Sequence, residues 1–318
     1  MCTAISYFAD GHYFGRNLDL EYSYGESVVI TPRTYPFSFR NGSVLSDHYA
    51  MIGMAYVEND YPLYYDGMNE KGLAMAALAF PKDAVYYHEN EALCNLAPYE
   101  LFPYLLGQCE TVRQVRELLP KINLCHLPFS VHLPLTPLHF LIADRTQSLT
   151  LETTEKGMTV YENPVGVLTN SPPFDFQMRY LHLFMGLSEK QLENRLSERL
   201  DLQPFSRGMG AIGLPGDLSS TSRFVRAVFV KDHALPGKTE KENLSQFFHI
   251  LGAVEQQKGC VEADGKYEYT IYSSCCRTDR GRYYYTTYDD RQIVSAGFSD
   301  YDLDAHTLFV ASTLPKIQ

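Results

Sequence analysis

Residues 1–20 read MCTAISYFADGHYFGRNLDL, and this stretch predicts how the fold begins. The run TAISYFA is rich in strand-forming residues, and Asp10-Gly11 behind it favours a two-residue hairpin turn. The run HYFGRNLDL then predicts a second strand that returns beside the first. Chain termini usually fray, but this hairpin would hold Cys2 in a sheet.

Cys2 directly follows the initiator methionine, which methionine aminopeptidases remove when the second residue is small. Removal of Met1 would leave Cys2 with both a thiol and a free α-amine. A thiol is a good nucleophile, and an α-amine can take up a proton near neutral pH. One residue would then supply nucleophile and base, as in N-terminal-threonine hydrolases. The alternative is that Cys2 has no chemical role.

Arg16 and Asp19 lie on the strand that is expected to pair with the strand of Cys2. A guanidinium near a thiol favours the thiolate, and a carboxylate can hold the ammonium form of the amine. In the alternative interpretation the two side chains are a solvated surface pair, which is common for Arg and Asp on a strand.

The composition argues against several classes of protein. Of 318 residues, 45% are hydrophobic and 20% are charged, as in soluble globular proteins. A net charge of −11 argues against nucleic acid or an anionic membrane surface as the main partner.

No apolar run is long enough to span a membrane and no signal peptide is recognisable, so we expect a cytoplasmic protein. The cysteines are dispersed and form no C-x-x-C motif, which argues against a disulfide framework and a structural zinc site.

Strand patterns and helix patterns occur in separate blocks along the chain. Strands are predicted for SVVITP, YAMIGMAYV, PLYYDGMNEKGLAMAALAF and SLTLETTEKGMTVYE, the last two with turns at 69–72 and 155–157. Helices are predicted for NEALCNLAPYELFPYLLGQC (interrupted by Pro98 and Pro103), TVRQVRELLPKI, PFDFQMRYLHLFMGL, STSRFVRAVFVKDHA and TEKENLSQFFHILGAVEQ. Strands return in KYEYTIYSSCC, GRYYYTTYDD and RQIVSAGF. Such blocks favour an α+β fold over a parallel βαβ sheet, and no linker divides the single predicted domain.

Five segments resemble the choloylglycine hydrolase family: MCTAI, YFGRNLDLEYSYGE, DGMNEKGLAMAALAFP, GVLTNSPPFDFQ and GLPGDLSSTSRFVRA. They occur in the family's order, from residue 2 to about residue 227. The family includes bile salt hydrolases and penicillin V acylases, which are N-terminal-nucleophile amidohydrolases. The resemblance implies a four-layer αββα sandwich of two mainly antiparallel sheets, and a single mature domain of residues 2–318 that begins at Cys2.

The resemblance also implies a set of catalytic residues: Cys2, Arg16, Asp19, Asn170 and Arg223. Arg16 would lie beside the thiol and Asp19 beside the α-amine, and Arg223 would support the charge network around the nucleophile. Asn170 would donate its side-chain amide to the oxyanion, since an asparagine offers N–H donors without charge. By local sequence alone Asn170 could equally form an Asx turn, and Arg223 a surface ion pair.

The chain departs from the family at Ala79. Bile salt hydrolases of the family usually read GLNFP where this chain reads ALAFP, and penicillin V acylases commonly have a tyrosine at the position of Ala79. The resemblance assigns a backbone N–H of the oxyanion hole to this position, and alanine retains that N–H. We therefore expect a functional oxyanion hole with altered substrate selectivity.

For a bile salt, the leaving amine would be glycine or taurine and the steroid would lie in an apolar cleft. The loops 22–27, 57–62 and 127–138 are candidate walls because they are rich in Tyr, Leu, Phe and Pro; ordinary loop packing is the alternative. Arg207, in SRGMG, is expected to meet the carboxylate or sulfonate of the conjugate; a solvated arginine is the alternative. The predicted substrate-binding residues are Tyr22, Tyr24, Tyr56, Tyr61, Leu127, Phe129, Leu133, Leu135 and Arg207.

The sequence thus predicts a bile salt hydrolase that cleaves the amide bond of glycine- or taurine-conjugated bile acids, without a cofactor or metal. A penicillin V acylase or another N-acyl amide hydrolase is the nearest alternative, because it would use the same chemistry with a different acyl pocket. A non-catalytic ligand-binding protein with an inert Cys2 is an alternative from another class. The resemblance implies a homotetramer, for which the long Pro-containing segments could supply an interface.

Overall fold

The structure, a computed structural model, describes residues 1–314. The last four residues of the predicted domain, 315–318, lie outside the described residues. The helices are α1 Leu101–Gln108, α2 Val112–Leu118, α3 Phe174–Leu181, α4 Ser220–His233 and α5 Glu240–Gly252. The first ten strands are β1 Cys2–Phe8, β2 His12–Leu20, β3 Ser27–Thr31, β4 Phe37–Ser38, β5 Val44–Leu45, β6 Met51–Glu58, β7 Tyr61–Asn69, β8 Ala74–Ala79, β9 Cys94–Leu96 and β10 Ile122–Leu124. The others are β11 Leu138–Ala143, β12 Ser148–Thr154, β13 Gly157–Glu162, β14 Val167–Leu168, β15 Val261–Ala263, β16 Lys266–Arg277, β17 Arg282–Thr287, β18 Val294–Gly297 and β19 Phe309–Thr313.

Two large antiparallel sheets pack face to face, and helices cover their outer faces. The first sheet has seven strands in the order β14-β1-β2-β16-β17-β18, with β15 paired to β16. The second has eight strands in the order β13-β12-β11-β8-β7-β6-β3-β19. Strands β1 and β2 contact β8 across the interface, α4 and α5 pack on the first sheet, and α1 packs on β6, β7 and β8 of the second. The predicted four-layer αββα sandwich is therefore confirmed.

Buried apolar side chains hold these layers together. One core cluster joins the first sheet to the second and to α4 and α5, and includes Phe14, Ile52 and Phe224. A second cluster, with Leu105 and Phe140, lies between the second sheet and α1. Burial of a side chain of this size contributes about 1.5–3 kcal/mol, so many such residues fix the two sheets relative to each other.

The hairpin at the start of the chain forms, but its turn differs from the prediction. Strands β1 and β2 pair without interruption from Cys2–Leu18 to Phe8–His12, so three residues connect them instead of two. Gly11 lies close to Arg277: a Cβ at this position would lie 2.6 Å from Nη2, so the guanidinium would have to shift to make room for it. A buried arginine from β16 therefore contacts the turn and binds Asp10, and the local sequence contains no sign of this contact.

The predicted helices form, with one partial exception. In NEALCNLAPYELFPYLLGQC only α1 is an α-helix, because the segment starts as β9 and a 3₁₀ turn. Pro103 lies in the first turn of α1, where its missing N–H removes no helical hydrogen bond. Thr239 and Glu242 form a capping box at the start of α5. Within residues 1–314, none of the helices is long and apolar enough to cross a bilayer.

Candidate active site

Cys2 lies at the start of β1 and is buried, with 2% of its surface exposed. It pairs with Leu18, and two residues further along Ala4 pairs with Arg16. Because side chains alternate along a strand and paired residues share a face, Cys2 and Arg16 project from the same face of the first sheet. Asp19 projects from the opposite face. The hairpin thus brings Arg16 to the side of the thiol.

The guanidinium of Arg16 is buried where β7 and β8 separate. Pairing between these strands ends at Ala76, and Nη1 of Arg16 donates to the Tyr65 carbonyl at 3.1 Å and to the Ala77 carbonyl. Nη2 has no hydrogen-bond partner among the described residues. Burial alone would lower the pKa of this guanidinium, but neighbouring groups, Cys2 first among them, raise it overall. Arg16 therefore stays charged, with unpaired N–H groups near the thiol.

Asp66 is a residue of this network that the sequence analysis missed. Its carboxyl is fully buried and accepts hydrogen bonds from Tyr272 at 2.5 Å, Ser274 at 2.8 Å and Tyr283 at 2.9 Å. Burial raises the pKa of Asp66, and the charge of Arg16 opposes this effect. An acidic residue inside an apolar strand pattern, YYDGM, was the signal that could have identified it.

The side chain of Asn170 connects three separate segments of the site. Its Oδ1 accepts from the backbone nitrogen of Cys2 at 2.8 Å and from Nη2 of Arg223 at 2.7 Å. Its Nδ2 donates to the carbonyl of Ala79 at 2.7 Å. The backbone N–H of Asn170 donates to the hydroxyl of Ser220 at 2.9 Å. The carboxamide therefore lies between Cys2 and the strand that carries Ala79.

Arg223 lies on α4, and its fully buried side chain reaches the start of β1. Its Nη1 donates to the Cys2 carbonyl and to the Thr3 hydroxyl, both at 2.6 Å, and Nε donates to the Leu218 carbonyl at 3.0 Å. Burial lowers the pKa of Arg223, and the charge of Asp19 opposes this effect. Arg223 is thus a buried support of the residues around Cys2 and not a surface ion pair.

Asp19 lies beside the amino terminus. Its Oδ1 accepts from the Thr270 hydroxyl at 2.6 Å, whereas Oδ2 has no partner within residues 1–314. The ammonium group of Met1 donates to the Asp19 carbonyl at 2.7 Å and to the Glu268 carboxylate at 2.5 Å. Burial raises the pKa of Asp19, and the charge of Arg223 opposes this effect. A buried carboxyl oxygen is therefore unpaired next to the terminus.

The backbone N–H of Ala79 points to the edge of β8 at which Asn170 lies. Phe80 donates its backbone N–H to the Pro137 carbonyl at 2.8 Å, on the β11 side of β8. Successive residues of a strand direct their backbone groups to opposite edges, so the N–H and carbonyl of Ala79 point away from β11. That carbonyl accepts from Asn170. The two donors expected for the oxyanion hole thus face the same region.

An apolar cavity of about 320 Å³ lies next to the carbonyls that bind Arg16. Tyr65 and Ala77, whose carbonyls bind Arg16, line it, so the cavity reaches the point where β7 and β8 separate. Five of the predicted substrate-binding residues also line it: Tyr24, Tyr56, Phe129, Leu133 and Leu135.

Four other predicted substrate-binding residues are not among the residues that line this cavity within residues 1–314: Tyr22, Tyr61, Leu127 and Arg207. Tyr61 lies behind the wall, with its ring 5.7 Å from that of Phe129. The ring of Tyr22 lies 4.8 Å from that of Tyr24, and Leu127 is half-buried. Arg207 is exposed on the loop between α3 and α4. For these four residues a role in binding stays a prediction.

Comparison with known proteins agrees with this geometry. The sequence model of the linear amide C–N hydrolases, choloylglycine hydrolase family, matches residues 2–311. The chain belongs to the choloylglycine hydrolase family. It is therefore an enzyme of the linear amide C–N hydrolase class, and the predicted family and reaction type are confirmed.

Two bacterial bile salt hydrolases/transferases match almost the whole chain. The bile salt hydrolase/transferase of Lactiplantibacillus plantarum is 53% identical over 309 residues, 97% of this chain and 95% of that protein. The bile salt hydrolase/transferase of Clostridium perfringens is 36% identical over 315 residues, 97% of this chain and 95% of that protein.

Solved structures share the fold of this choloylglycine hydrolase family member. A variant of the conjugated bile acid hydrolase from Clostridium perfringens has a TM-score of 0.91 at 35% identity, and the match covers 98% of this chain and 97% of that one. The penicillin V acylase from Agrobacterium tumefaciens has a TM-score of 0.77 at 20% identity, and the match covers 96% and 90% of the two chains. The second comparison concerns the fold alone.

Proposed function

We propose that this protein hydrolyses the amide bond of glycine- or taurine-conjugated bile acids, with Cys2 as the nucleophile after Met1 is removed. One observation carries the proposal: Arg16, on the same sheet face as Cys2, binds the carbonyls of Tyr65 and Ala77, and these two residues line an apolar cavity. The size of this cavity, about 320 Å³, is within the range of small-molecule sites. The identity of 53% to a bile salt hydrolase/transferase along nearly the whole chain supports the same substrate class.

The first step is attack of the Cys2 thiolate on the carbonyl carbon of the amide. A C–S bond forms and the carbonyl electron pair moves to oxygen, which gives a tetrahedral oxyanion. Arg16 favours the thiolate through the unpaired N–H groups of Nη2. In the mature chain the nitrogen of Cys2 is a primary amine, which lies 2.8 Å from Oδ1 of Asn170.

The α-amine of Cys2 carries the proton between the thiol and the leaving group. It takes the thiol proton and passes it to the nitrogen of the leaving glycine or taurine as the C–N bond breaks. The unpaired Oδ2 of Asp19 is available to hold the ammonium form. Water, activated by the same amine, then attacks the thioester, releases the bile acid and restores the thiol.

The oxyanion receives hydrogen bonds from Asn170 and from the backbone N–H of Ala79. The amide nitrogen of Asn170 has two hydrogens, and the Ala79 carbonyl at 2.7 Å binds one of them. The second hydrogen is available to the oxyanion. Arg223 holds Oδ1 of Asn170 at 2.7 Å and so fixes the orientation of the carboxamide.

The acyl group would lie in the apolar cavity, against the rings of Tyr24, Tyr56 and Phe129. Penicillin V is a second candidate substrate because its acyl group is also apolar. Arg207 would meet the carboxylate or sulfonate of the conjugate, although its loop in this chain is exposed.

We also infer a cytoplasmic homotetramer. The loop between α3 and α4 presents large exposed apolar side chains, among them Leu183, Met185, Leu196 and Phe205. Exposed patches of this kind mark protein interfaces. Light scattering coupled to size exclusion should give four times the monomer mass, and a monomer would contradict the assignment.

The function is tested by hydrolysis of taurocholate, glycocholate and penicillin V, measured side by side. We expect turnover of the two bile salts, with Cys2→Ala inactive and Cys2→Ser much slower than the wild type. Full activity of Cys2→Ala, or turnover of penicillin V alone, would overturn the proposed function.

A further inference from the structure

We propose that His139 and Glu152 form a positioning unit that holds the two sides of the oxyanion hole at a fixed separation. The mechanism above does not use this pair. The inference rests on the proposed function, since it concerns acyl transfer to Cys2. It is based on the contacts of one buried ring with segments on both sides of the hole.

The pair lies in the second sheet, with His139 on β11 and Glu152 on β12. Both side chains are buried, and Nδ1 of His139 lies 3.0 Å from Oε1 of Glu152. Nε2 of His139 lies 2.8 Å from the carbonyl oxygen of Thr169. Oε1 also accepts the backbone N–H of Phe174 at 3.0 Å. The two residues therefore bind both ends of the segment 169–174, which contains Asn170.

The hydrogen bonds determine where the protons are. A carbonyl has no hydrogen to give, so Nε2 must donate to Thr169. A second proton lies between Nδ1 and Oε1. Oε1 of Glu152 also accepts the backbone N–H of Phe174, so the carboxyl group joins the ring of His139 to the far end of the segment 169–174.

The ring of His139 also contacts the other side of the hole. It stacks on Phe80, with ring centroids 4.3 Å apart and an angle of 7° between the planes. Phe80 directly follows Ala79, and Thr169 directly precedes Asn170. One ring therefore touches the neighbours of both residues that donate to the oxyanion.

Stability alone does not account for the pair. Replacing a buried acid–base pair by apolar residues of similar volume is often neutral or stabilising, because the cost of desolvation offsets the attraction between the two groups. Oε2 of Glu152 has no partner within residues 1–314, which adds to the cost of burial. Positioning of Asn170 relative to Ala79 gives the pair a role that an apolar replacement would lose.

The test uses Glu152→Gln, which keeps a side-chain oxygen as acceptor for Phe174 but replaces the carboxyl group that shares a proton with His139. We expect kcat for glycocholate to fall roughly 10- to 100-fold, since a misplacement of about 1 Å can cost about 10² in rate. KM should stay within about threefold, because the cavity walls are unchanged. His139→Gln removes the ring as well and should lower kcat at least as much.

Alkylation of Cys2 by iodoacetamide separates positioning from general damage. This reaction displaces iodide at a saturated carbon and forms no oxyanion, so a defect confined to the oxyanion hole leaves its rate at the wild-type value. His12→Gln is the matched control. His12 is buried and bonded to Ser6 and Thr278, each at 2.9 Å, but it lies about 20 Å along β2 from the residue that pairs with Cys2. It should lower the melting temperature and leave kcat unchanged.

Wild-type kcat in both folded variants would overturn this inference and leave the proposed function standing. A fall in the alkylation rate that parallels the fall in kcat would also overturn it, since the pair would then be structural. If Glu152→Gln does not give folded protein by circular dichroism, His139→Gln decides by the same two rates. A wild type without any bile salt turnover would refute the proposed function, and this inference with it.

Discussion

Replacing Asn170 by aspartate changes one hydrogen-bonding group at the centre of the site. Aspartate keeps an oxygen at the Oδ1 position, where Cys2 and Arg223 donate from 2.8 Å and 2.7 Å. It replaces Nδ2, which donates to Ala79 at 2.7 Å, by a second oxygen. The contacts that hold the start of β1 are therefore kept, while the donor that we propose for the oxyanion is lost.

The expected loss in rate has two contributions. Removing one oxyanion donor lowers kcat by about 10²–10³, or about 2.7–4 kcal/mol. The new carboxylate also repels the oxyanion, and at an effective dielectric constant of about 20 two like charges ~4 Å apart repel by about 4 kcal/mol. Arg223, already 2.7 Å from Oδ1 of Asn170, offsets much of this repulsion. We therefore expect kcat to fall by roughly 10⁴ in Asn170→Asp.

The assay is steady-state hydrolysis of glycocholate, with circular dichroism to confirm the fold. The matched control is Asn69→Asp, which breaks two buried hydrogen bonds away from the site, to the carbonyls of Leu106 and Cys109, both at 2.7 Å. The control should lower the melting temperature with little change in kcat. If folded Asn170→Asp hydrolyses glycocholate within tenfold of the wild-type rate, Asn170 does not donate to the oxyanion and the reasoning is refuted.

Three further predictions concern the cavity, the family departure and acid stability. Phe129→Ala should raise KM for glycocholate about tenfold or more with kcat nearly unchanged, since an aromatic wall contributes about 1.5–3 kcal/mol; an unchanged KM would remove Phe129 from the binding surface. Ala79→Asn should change the ratio of kcat/KM for glycocholate to that for penicillin V, because it adds a side chain and keeps the backbone donor; identical ratios would contradict a role in selectivity. The hydrogen bond from Arg277 lowers the pKa of Asp10 to about 2, against the effect of burial. An unfolded aspartate has a pKa of about 3.9, so the Asp10 carboxylate stabilises the fold above that pH and loses the effect as the pH falls toward 2. Calorimetry should show a melting-temperature difference between wild type and Asp10→Asn that is largest near neutral pH and shrinks below pH 4; a difference that grows in acid would contradict this.

The sequence predicted the features that depend on neighbouring residues. The β1–β2 hairpin places Cys2 and Arg16 on one face because two paired strands have fixed alternation. The turn at 69–72 forms where Gly72 adopts a φ of 90°, a conformation that favours glycine. The helices α2 to α5 follow from apolar periodicity of 3.6 residues. The family resemblance added Asn170 and Arg223, for which local patterns allowed a turn and a surface ion pair equally well.

Contacts between segments that are distant along the chain could not be predicted from the sequence. Arg16 inserts between β7 and β8 because those strands separate after Ala76, and no local pattern encodes that separation. Arg277, on β16, reaches Asp10 in the three-residue turn after β1, a contact between positions 267 residues apart in the sequence. His139 and Glu152 occupy inward positions in apolar strands, where a polar residue signals a buried partner. Such a signal shows that a partner exists, but the partner's identity depends on the packing of the sheets.

The central claim is that Cys2, freed of Met1, forms the bond to the acyl group. Mass spectrometry of the enzyme quenched in acid during glycocholate hydrolysis tests this claim most directly. We predict a mature chain that begins at Cys2, with the bile acyl group attached as a thioester within the first peptide. Acyl attachment to another residue, or full activity in protein that retains Met1, would contradict the account.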